Sequence, residues 1–402
     1  MRVLINALAA TGARTGIGHY IAQLVCCLRR QAGNEAVDTF PGPVVRQARR
    51  VWAGVRPWLE ARPQVEGRGP PGAPGWRSRW VGRLRRCGQA VLARRFRAAC
   101  RHGFDLYHEP NFIPLPCELP TIATLHDLSV ILHPEWHPAD RVAHFERHFD
   151  QGLQRCVHYL AISDTARREI LRTLHLRPDQ VSRTYMGVRP GLGPMPAAQV
   201  RAALARLGLP PQYLLYLGTL EPRKNVLTLL KAYCSLPNRI RDQYPLVLVG
   251  GWGWNSAELA EYLDRWGRQR GVRHLGYLPE SALAVLYNGA RALAFPSFYE
   301  GFGLPPVEMM ACGGAVLAST ADALVETVGS HAQLIEPLDV AGWRDALLRV
   351  ATDDDWWHSL RSGVVEHAQA FTWEQCAADT LRVYRKLCGE AIAVAEPMRV
   401  AG

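Results

Sequence analysis

The chain has almost no lysine. Of its 47 basic residues only Lys224, Lys231 and Lys386 are not arginine, so a lysine inside a motif stands out. No run of 18 apolar residues occurs, which argues against a membrane-spanning helix. The opening MRVLINALAATG is interrupted too soon to read as a signal peptide. The ten cysteines are scattered, with no CxxC and no Cys/His cluster of zinc spacing. That usage argues against a metal site and a disulfide framework, and it fits a reducing compartment. No acidic residue about 20 positions beyond the Gly16–Gly18 turn closes a second strand, which argues against a nicotinamide cofactor. The expectation is a cytoplasmic protein without cofactor or metal.

What is present is a chain of 402 residues, 48% hydrophobic and 21% charged, enough for two or three domains with large cores. The net charge of +11 is unevenly placed: residues 1–190 carry +13 and the remainder −2. Only one half is suited to an anionic partner, whether nucleic acid, an anionic membrane surface or a phosphorylated substrate.

Residues 2–6 read as a buried strand, followed by a loop with Gly12, Gly16 and Gly18 and a helix from about Ile17. Residues 40–76 are rich in Pro, Gly, Arg and Trp and read as a loop or flexible insertion. Residues 77–102 hold nine arginines and no acid, with Trp80, Leu84, Cys87 and Val91 at helical spacing, so a basic amphipathic helix is expected. Strands follow at 105–108, 121–126, 158–163 and 181–187, with a helix at 164–173. GVRPGLGPMP, 187–196, reads as a linker. Beyond it strands at 213–219, 245–251, 272–278, 291–298, 315–320 and 332–337 alternate with helices. That alternation argues for parallel sheets covered on both faces. The expected architecture is α/β: residues 1–190 as a first domain carrying a variable basic insertion at 40–102, 191–372 as a second domain, and 373–402 as a helix returning to the first, with a tail.

GTLEPRKN, 218–225, lies where a strand gives way to a helix, and ligands of open α/β sheets bind there. Arg223 and Lys224 beside free backbone N–H groups suit a diphosphate; a solvated basic pair opening a helix is the competing reading. FPSFYEGFGLPPVEMM, 295–310, occupies the equivalent place further on. Gly301 and Gly303 permit a sharp turn, and Pro305 and Pro306 suit a first helical turn. Glu300 in the turn and Glu308 inside the helix can accept hydrogen bonds from vicinal hydroxyls at two ends of one ligand, with N–H groups near Gly303 and Leu304 between them. The bland alternative is a solvated turn. His126 and Asp127 sit at a strand end, where a histidine can meet a sugar hydroxyl or developing charge, or merely satisfy backbone. The spacing of His133 and His137 from His126 does not favour a metal.

Taken together, G-T-L-E-P-R-K-N at 218–225, P-S-x-Y-E-G-F-G-L-P-x-x-E at 296–308, H-D-L at 126–128, A-I-S-D at 161–164 and T-G-I-G at 15–18 resemble the GT-B-fold glycosyltransferases of retaining family 4, the group 1 glycosyl transferases. The likeness is dense over 120–345 and poor over 35–102. It implies two Rossmann-like domains facing a cleft and transfer of a hexose from a nucleotide-diphosphate sugar to a glycan or lipid-linked acceptor without metal. Arg223 and Lys224 would hold the diphosphate, Glu308 the ribose and Glu300 the transferred sugar, with His126 beside the reacting carbon. Gly16, Gly18, Gly218, Leu278, Gly301, Phe302, Gly303 and Leu304 would complete the donor site. The E-P-R-K-N and G-I-G variants look like those of bacterial O-antigen mannosyltransferases, which favours GDP-mannose over a UDP-sugar. The resemblance also suggests a peripheral place on the inner membrane face, with the 77–102 helix on anionic lipid. The rivals are a sugar-nucleotide epimerase of the same fold, a phosphorylase (for which only Lys386 lies late in the chain) and a basic nucleic-acid-binding protein. The last lacks aromatic–basic strands, a helix-turn-helix and zinc spacing, so no nucleic-acid partner is expected.

Overall fold

The computed structural model describes residues 1–11, 16–42 and 91–389. Within them the strands form two six-stranded sheets. The first holds β1 (Arg2–Asn6), β2 (Ala36–Phe40), β3 (Leu106–Glu109), β4 (Thr121–Leu125), β5 (Cys156–Ala161) and β6 (Val181–Arg183). The second holds β7 (Tyr213–Leu217), β8 (Leu246–Val249), β9 (Val272–His274), β10 (Ala290–Phe295), β11 (Ala315–Ser319) and β12 (Gln333–Ile335). All pairings are parallel. Every residue of β3, β4, β8, β10 and β11 is buried, as strands covered on both faces require, the polar His108, Glu109 and Arg291 included.

The strand orders locate the crevices. The first sheet runs β2-β1-β3-β4-β5-β6 and the second β12-β11-β10-β7-β8-β9. In each, the chain winds outward one way, then returns beside its first strand and winds the other way. The connections therefore diverge between β1 and β3 in the first lobe and between β7 and β10 in the second. A crevice opens at the carboxyl ends of the strands where they part.

The helices that matter below are α1 (Gly16–Gln31), α2 (Ala139–Leu153), α3 (Asp164–Thr173), α4 (Val226–Cys234), α5 (Glu280–Gly289), α6 (Leu304–Ala311), α7 (Asp322–Val328) and α8 (Trp373–Gly389). Helix α8 follows the second sheet yet lies on the first lobe. Gln31 of α1 donates to the Glu374 carbonyl (3.0 Å), and the buried Tyr384 hydroxyl meets His108 Nδ1 of β3 (2.6 Å). The chain thus passes between lobes twice, near 187 and near 372, and the two passages touch. Val188 N donates to Phe371 O (3.0 Å), and a Cβ on Gly187 would lie 2.2 Å from Trp373 N, so only glycine fits there.

Several expectations change. Strand β2 lies where no strand was read, since AVDTF is short and half polar, and it takes Phe40 out of the expected loop. Helix α2 also went unread: only Phe149 and Gly152 are buried, so its apolar stripe is narrow. The strands expected at 181–187 and 272–278 stop at Arg183 and His274. The basic helix expected at 77–102 falls partly on 77–90, outside the described residues. Its helical part, 91–100, turns the buried Phe96 onto Phe40 (5.1 Å between ring centroids) and Tyr107 (4.8 Å). Phe96 thus faces the protein's own core, whereas Val91, the one described residue of the expected apolar face, is exposed, as are Arg94, Arg95 and Arg97.

The lobes are joined by polar contacts as well as by chain. Ser163 caps α3 by accepting from Ala166 N (2.9 Å) and donates to the Gly301 carbonyl of the second lobe (2.7 Å). Glu326 of α7 completes that cap across the cleft. It accepts from Asp164 N (2.7 Å), Thr165 N (2.6 Å) and Thr165 Oγ1 (2.6 Å). A helix N-terminus leaves such N–H groups without partners in its own helix. Glu326→Ala is expected to cost about 1–2 kcal/mol of stability, read by urea denaturation, with Glu326→Gln recovering part of it.

Candidate active site

The loops after β7 and β10 meet at the second-lobe crevice. After β7 the chain passes Gly218 and a short 3₁₀ turn, Pro222–Lys224, to Asn225, whose left-handed backbone (φ 52°) starts α4. Asn225 ties the loop down: its Nδ2 donates to Pro296 O (3.0 Å) and Pro337 O (2.7 Å). Phe298 N donates to the Arg223 carbonyl (2.9 Å), so the two loops share main-chain bonds.

Between them lies a buried charge cluster. Lys224 Nζ donates to Glu300 Oε1 (2.5 Å) and Arg223 Nη1 to Glu300 Oε2 (3.1 Å). Arg223 also donates to the Tyr299 carbonyl (2.9 Å) and, through Nη2, to Glu221 Oε1 (3.1 Å). Glu300 is 8% exposed. Burial alone would raise its carboxyl, but Lys224 and then Arg223 hold it below the ordinary carboxylate range. The structure thus makes Glu300 first a counter-ion of the two cations.

Glu308 stands apart, wholly enclosed inside α6. Its Oε2 accepts from Arg189 Nη1 (2.5 Å) and Tyr287 Oη (2.7 Å), while Oε1 has no hydrogen-bond partner. Here burial outweighs the attraction of Arg189, and the carboxyl lies above its ordinary value. Gly303 starts α6 with φ 88°, a conformation that favours glycine, and a Cβ there would strike Leu324.

The turn between Glu300 and Gly303 presses on the first lobe. A Cβ on Gly301 would lie 1.9 Å from the His126 carbonyl. Tyr299 receives a hydrogen bond from Leu128 N (3.0 Å) and donates to Glu169. Phe298 stacks on Trp136, which stacks on His133, and Trp254 Nε1 donates to the Trp136 carbonyl (2.7 Å). Asp127 reaches into the same seam. Burial would raise its carboxyl, but Arg223 and the hydrogen bonds from Ser129 keep it low.

His126 is buried against Tyr20 and Phe112, and its Nε2–H donates to the Pro110 carbonyl (2.9 Å). Burial lowers its pKa, so the ring is neutral at pH 7 and Nδ1 is an acceptor. A neutral ring can accept a hydrogen bond at Nδ1 and brings no positive charge to the seam.

The remaining expected donor residues divide. Gly218 N–H is already bonded to Val249 O (2.9 Å). The Phe302 ring packs on Tyr185 and Phe371, so its side chain belongs to the core. Gly18 is packed under the Ala9 carbonyl (2.7 Å from a Cβ), whereas among the described residues nothing lies within 4 Å of a Cβ on Gly16. Leu304 opens α6 and is buried; Leu278, half-buried, lies beyond β9. Sequence reasoning missed Arg189 and Tyr287 on Glu308, and Tyr299 at the seam. Arg189 carried no signal, for it sat in a run read as a linker and its partner lies 119 positions on. Among the described residues no group of three or more His, Cys, Asp and Glu side chains converges as metal ligands would, and no helix is long and apolar enough to cross a membrane.

Two parallel-sheet lobes with a charged crevice at the seam define the GT-B class of glycosyltransferases. Sucrose-phosphate synthase from Thermosynechococcus elongatus has this fold too, with a TM-score of 0.68 at 22% identity over 97% of this chain and all of that one. Residues 205–370 match the family profile described as Glycosyl transferases group 1. The chain is 34% identical over 382 residues to the O-antigen chain mannosyltransferase B of Escherichia coli, covering 93% of this chain and 96% of that protein. It is 28% identical over 274 residues to a serotype-specific mannosyltransferase, WbdA, of Escherichia coli, but that match spans only 33% of the relative. The chain belongs to the group 1 glycosyl transferases and is a glycosyltransferase.

Glu300→Gln leaves two buried cations short of a counter-charge. A loss of roughly 3 kcal/mol at pH 7 is expected from breaking such a pair. Because the native pKa of Glu300 is depressed, its contribution is full above the unfolded carboxyl value and fades as pH falls through the native one. The gap between wild type and variant, measured by urea denaturation, is therefore expected to narrow only below about pH 4.

Proposed function

We propose that the chain transfers a mannosyl group from GDP-mannose to a growing O-antigen-type glycan, free or lipid-linked, with retention of configuration and without a metal ion. The observation that carries this reading is the relationship to an O-antigen chain mannosyltransferase along nearly the whole of both proteins. The residue types at the site support it. Cleaving the bond from anomeric carbon to phosphate builds negative charge on the leaving diphosphate. Arg223, Lys224 and the N–H groups at the start of α6 stand where that charge grows. As the diphosphate takes up the two cations, Glu300 is released towards the hydroxyls of the transferred sugar. The vicinal ribose hydroxyls fit the unpartnered oxygen of Glu308.

Positive charge on the sugar ring requires that water be kept out, and the aromatic seam of Trp136, Phe298 and Tyr299 serves that end. The acceptor hydroxyl attacks from the face the phosphate leaves, and the departing phosphate takes its proton. Neutral His126 accepts a hydrogen bond from a sugar hydroxyl. The acceptor approaches from the basic first lobe, and the basic stretch 77–102 meets anionic lipid in this reading.

The test is transfer from GDP-mannose, GDP-fucose, UDP-glucose and UDP-galactose to a lipid-linked glycan acceptor in EDTA. Transfer from GDP-mannose alone, unchanged by EDTA, is expected. Transfer only from a UDP-sugar overturns the donor assignment, and loss of activity in EDTA overturns the metal-free chemistry. Glu300→Ala is expected to lower kcat about 10²-fold or more, whereas Glu308→Ala raises the donor KM about tenfold with a smaller effect on kcat. Negligible effects of both would return this stretch to a structural turn.

A further inference from the structure

Arg189 lies in the passage between the sheets, at a position the enzymatic reading does not use. Its guanidinium touches two carboxylates: Nη1 meets Glu308 Oε2 at 2.5 Å and Nε meets Glu280 Oε1 at 3.4 Å. The same Glu280 oxygen lies 2.6 Å from His19 Nδ1 on α1. One line of polar and charged groups therefore runs from His19 on α1, through the interlobe passage, to the enclosed carboxylate of the second lobe. Arg189 has little freedom, since its neighbours Gly187 and Val188 are pinned against Trp373 and Phe371.

Glu308 is unevenly satisfied. Arg189 and Tyr287 share Oε2, and although the Arg189 backbone N–H also acts on the carboxylate, buried Oε1 has no donor in hydrogen-bond geometry. A buried acceptor without a donor is costly, and a pair of hydroxyl donors would relieve it. We propose that Arg189 is a positioning residue for the donor nucleotide: by occupying one oxygen of Glu308 it turns the other towards the ribose diol, so that the interlobe passage itself builds part of the nucleotide subsite. The inference rests on the reading of Glu308 as the ribose ligand. Burial drives the Glu308 carboxyl towards its protonated form and Arg189 opposes this, which preserves the acceptor that a diol needs. The side chain is 16% exposed and so remains near the cleft while holding a group that is fully enclosed. Glu308 is wholly enclosed, so in this reading the groups around Oε1 move aside when a ribose binds.

The test is calorimetric titration of the full chain with GDP, UDP and their 2′-deoxy forms, using wild type, Arg189→Lys, Arg189→Met and Glu308→Gln. Wild type is expected to prefer the ribonucleotide to its 2′-deoxy form. Arg189→Met is expected to weaken ribonucleotide binding about tenfold and the 2′-deoxy form much less, so that the preference shrinks. Arg189→Lys, which keeps the charge, recovers most of it. A merely structural role would weaken both ligands equally and leave the preference unchanged; that result, or Arg189→Met binding as wild type does, overturns the inference while leaving the ribose reading intact if Glu308→Gln still loses the preference. Wild type and Glu308→Gln alike showing no ribose preference, or wild type binding no nucleotide, overturns the ribose reading and the inference with it.

Discussion

Burying Glu300 imposes a constraint on everything around it. A carboxylate removed from water needs charge partners, and Lys224 and Arg223 supply them from the loop on the other side of the switch between β7 and β10. Those loops can stay together only if their backbones also fit, which Asn225 and the Phe298–Arg223 main-chain bond accomplish. The residues beside Glu300 then have nowhere to go but outwards. Tyr299 and Gly301 are delivered to the first lobe, one as a hydrogen-bonding ring and the other as a bare backbone against His126. The same ion cluster therefore organises the candidate donor site and the contact between lobes.

The seam is held by groups that tolerate little change. Glu326 caps a helix belonging to the other lobe, Ser163 bonds to both, and Trp136, Phe298 and Trp254 stack or bond across it. Such contacts leave Arg223 and Asp127 only partly exposed, where charges act more strongly than in bulk solvent. The two chain passages lie behind this seam, and α8 returns over the first lobe to clasp α1. The passage that holds Arg189 therefore touches Glu308 of the second lobe as well as Glu280.

The alternation of strands and helices was legible because strands buried on both faces are continuous apolar runs, as in YLLYL and LVLV. That Arg223, Lys224, Glu300, Gly301 and Gly303 lie at one crevice was legible because turns after neighbouring parallel strands gather at the same sheet edge. Strand β2 and α2 were not: one is half polar, and the other buries only two residues along 15. Phe302 was read as a ligand neighbour although its ring is core, since an aromatic inside a glycine turn looks the same in either role.

The sequence alone settled the α/β class, the pairing of two parallel-sheet units and the family likeness, because periodicity and turn chemistry act over a few residues. Which charges meet was decided only by the tertiary structure. Lys224 and Glu300 are 76 positions apart, Arg189 and Glu308 119, and Thr165 and Glu326 161. Strand order brings such residues together, and no local pattern encodes it. Whether a carboxylate is a free ligand or a counter-ion depends on what burial and neighbouring charge do to it, and both exist only once the two lobes have closed around it.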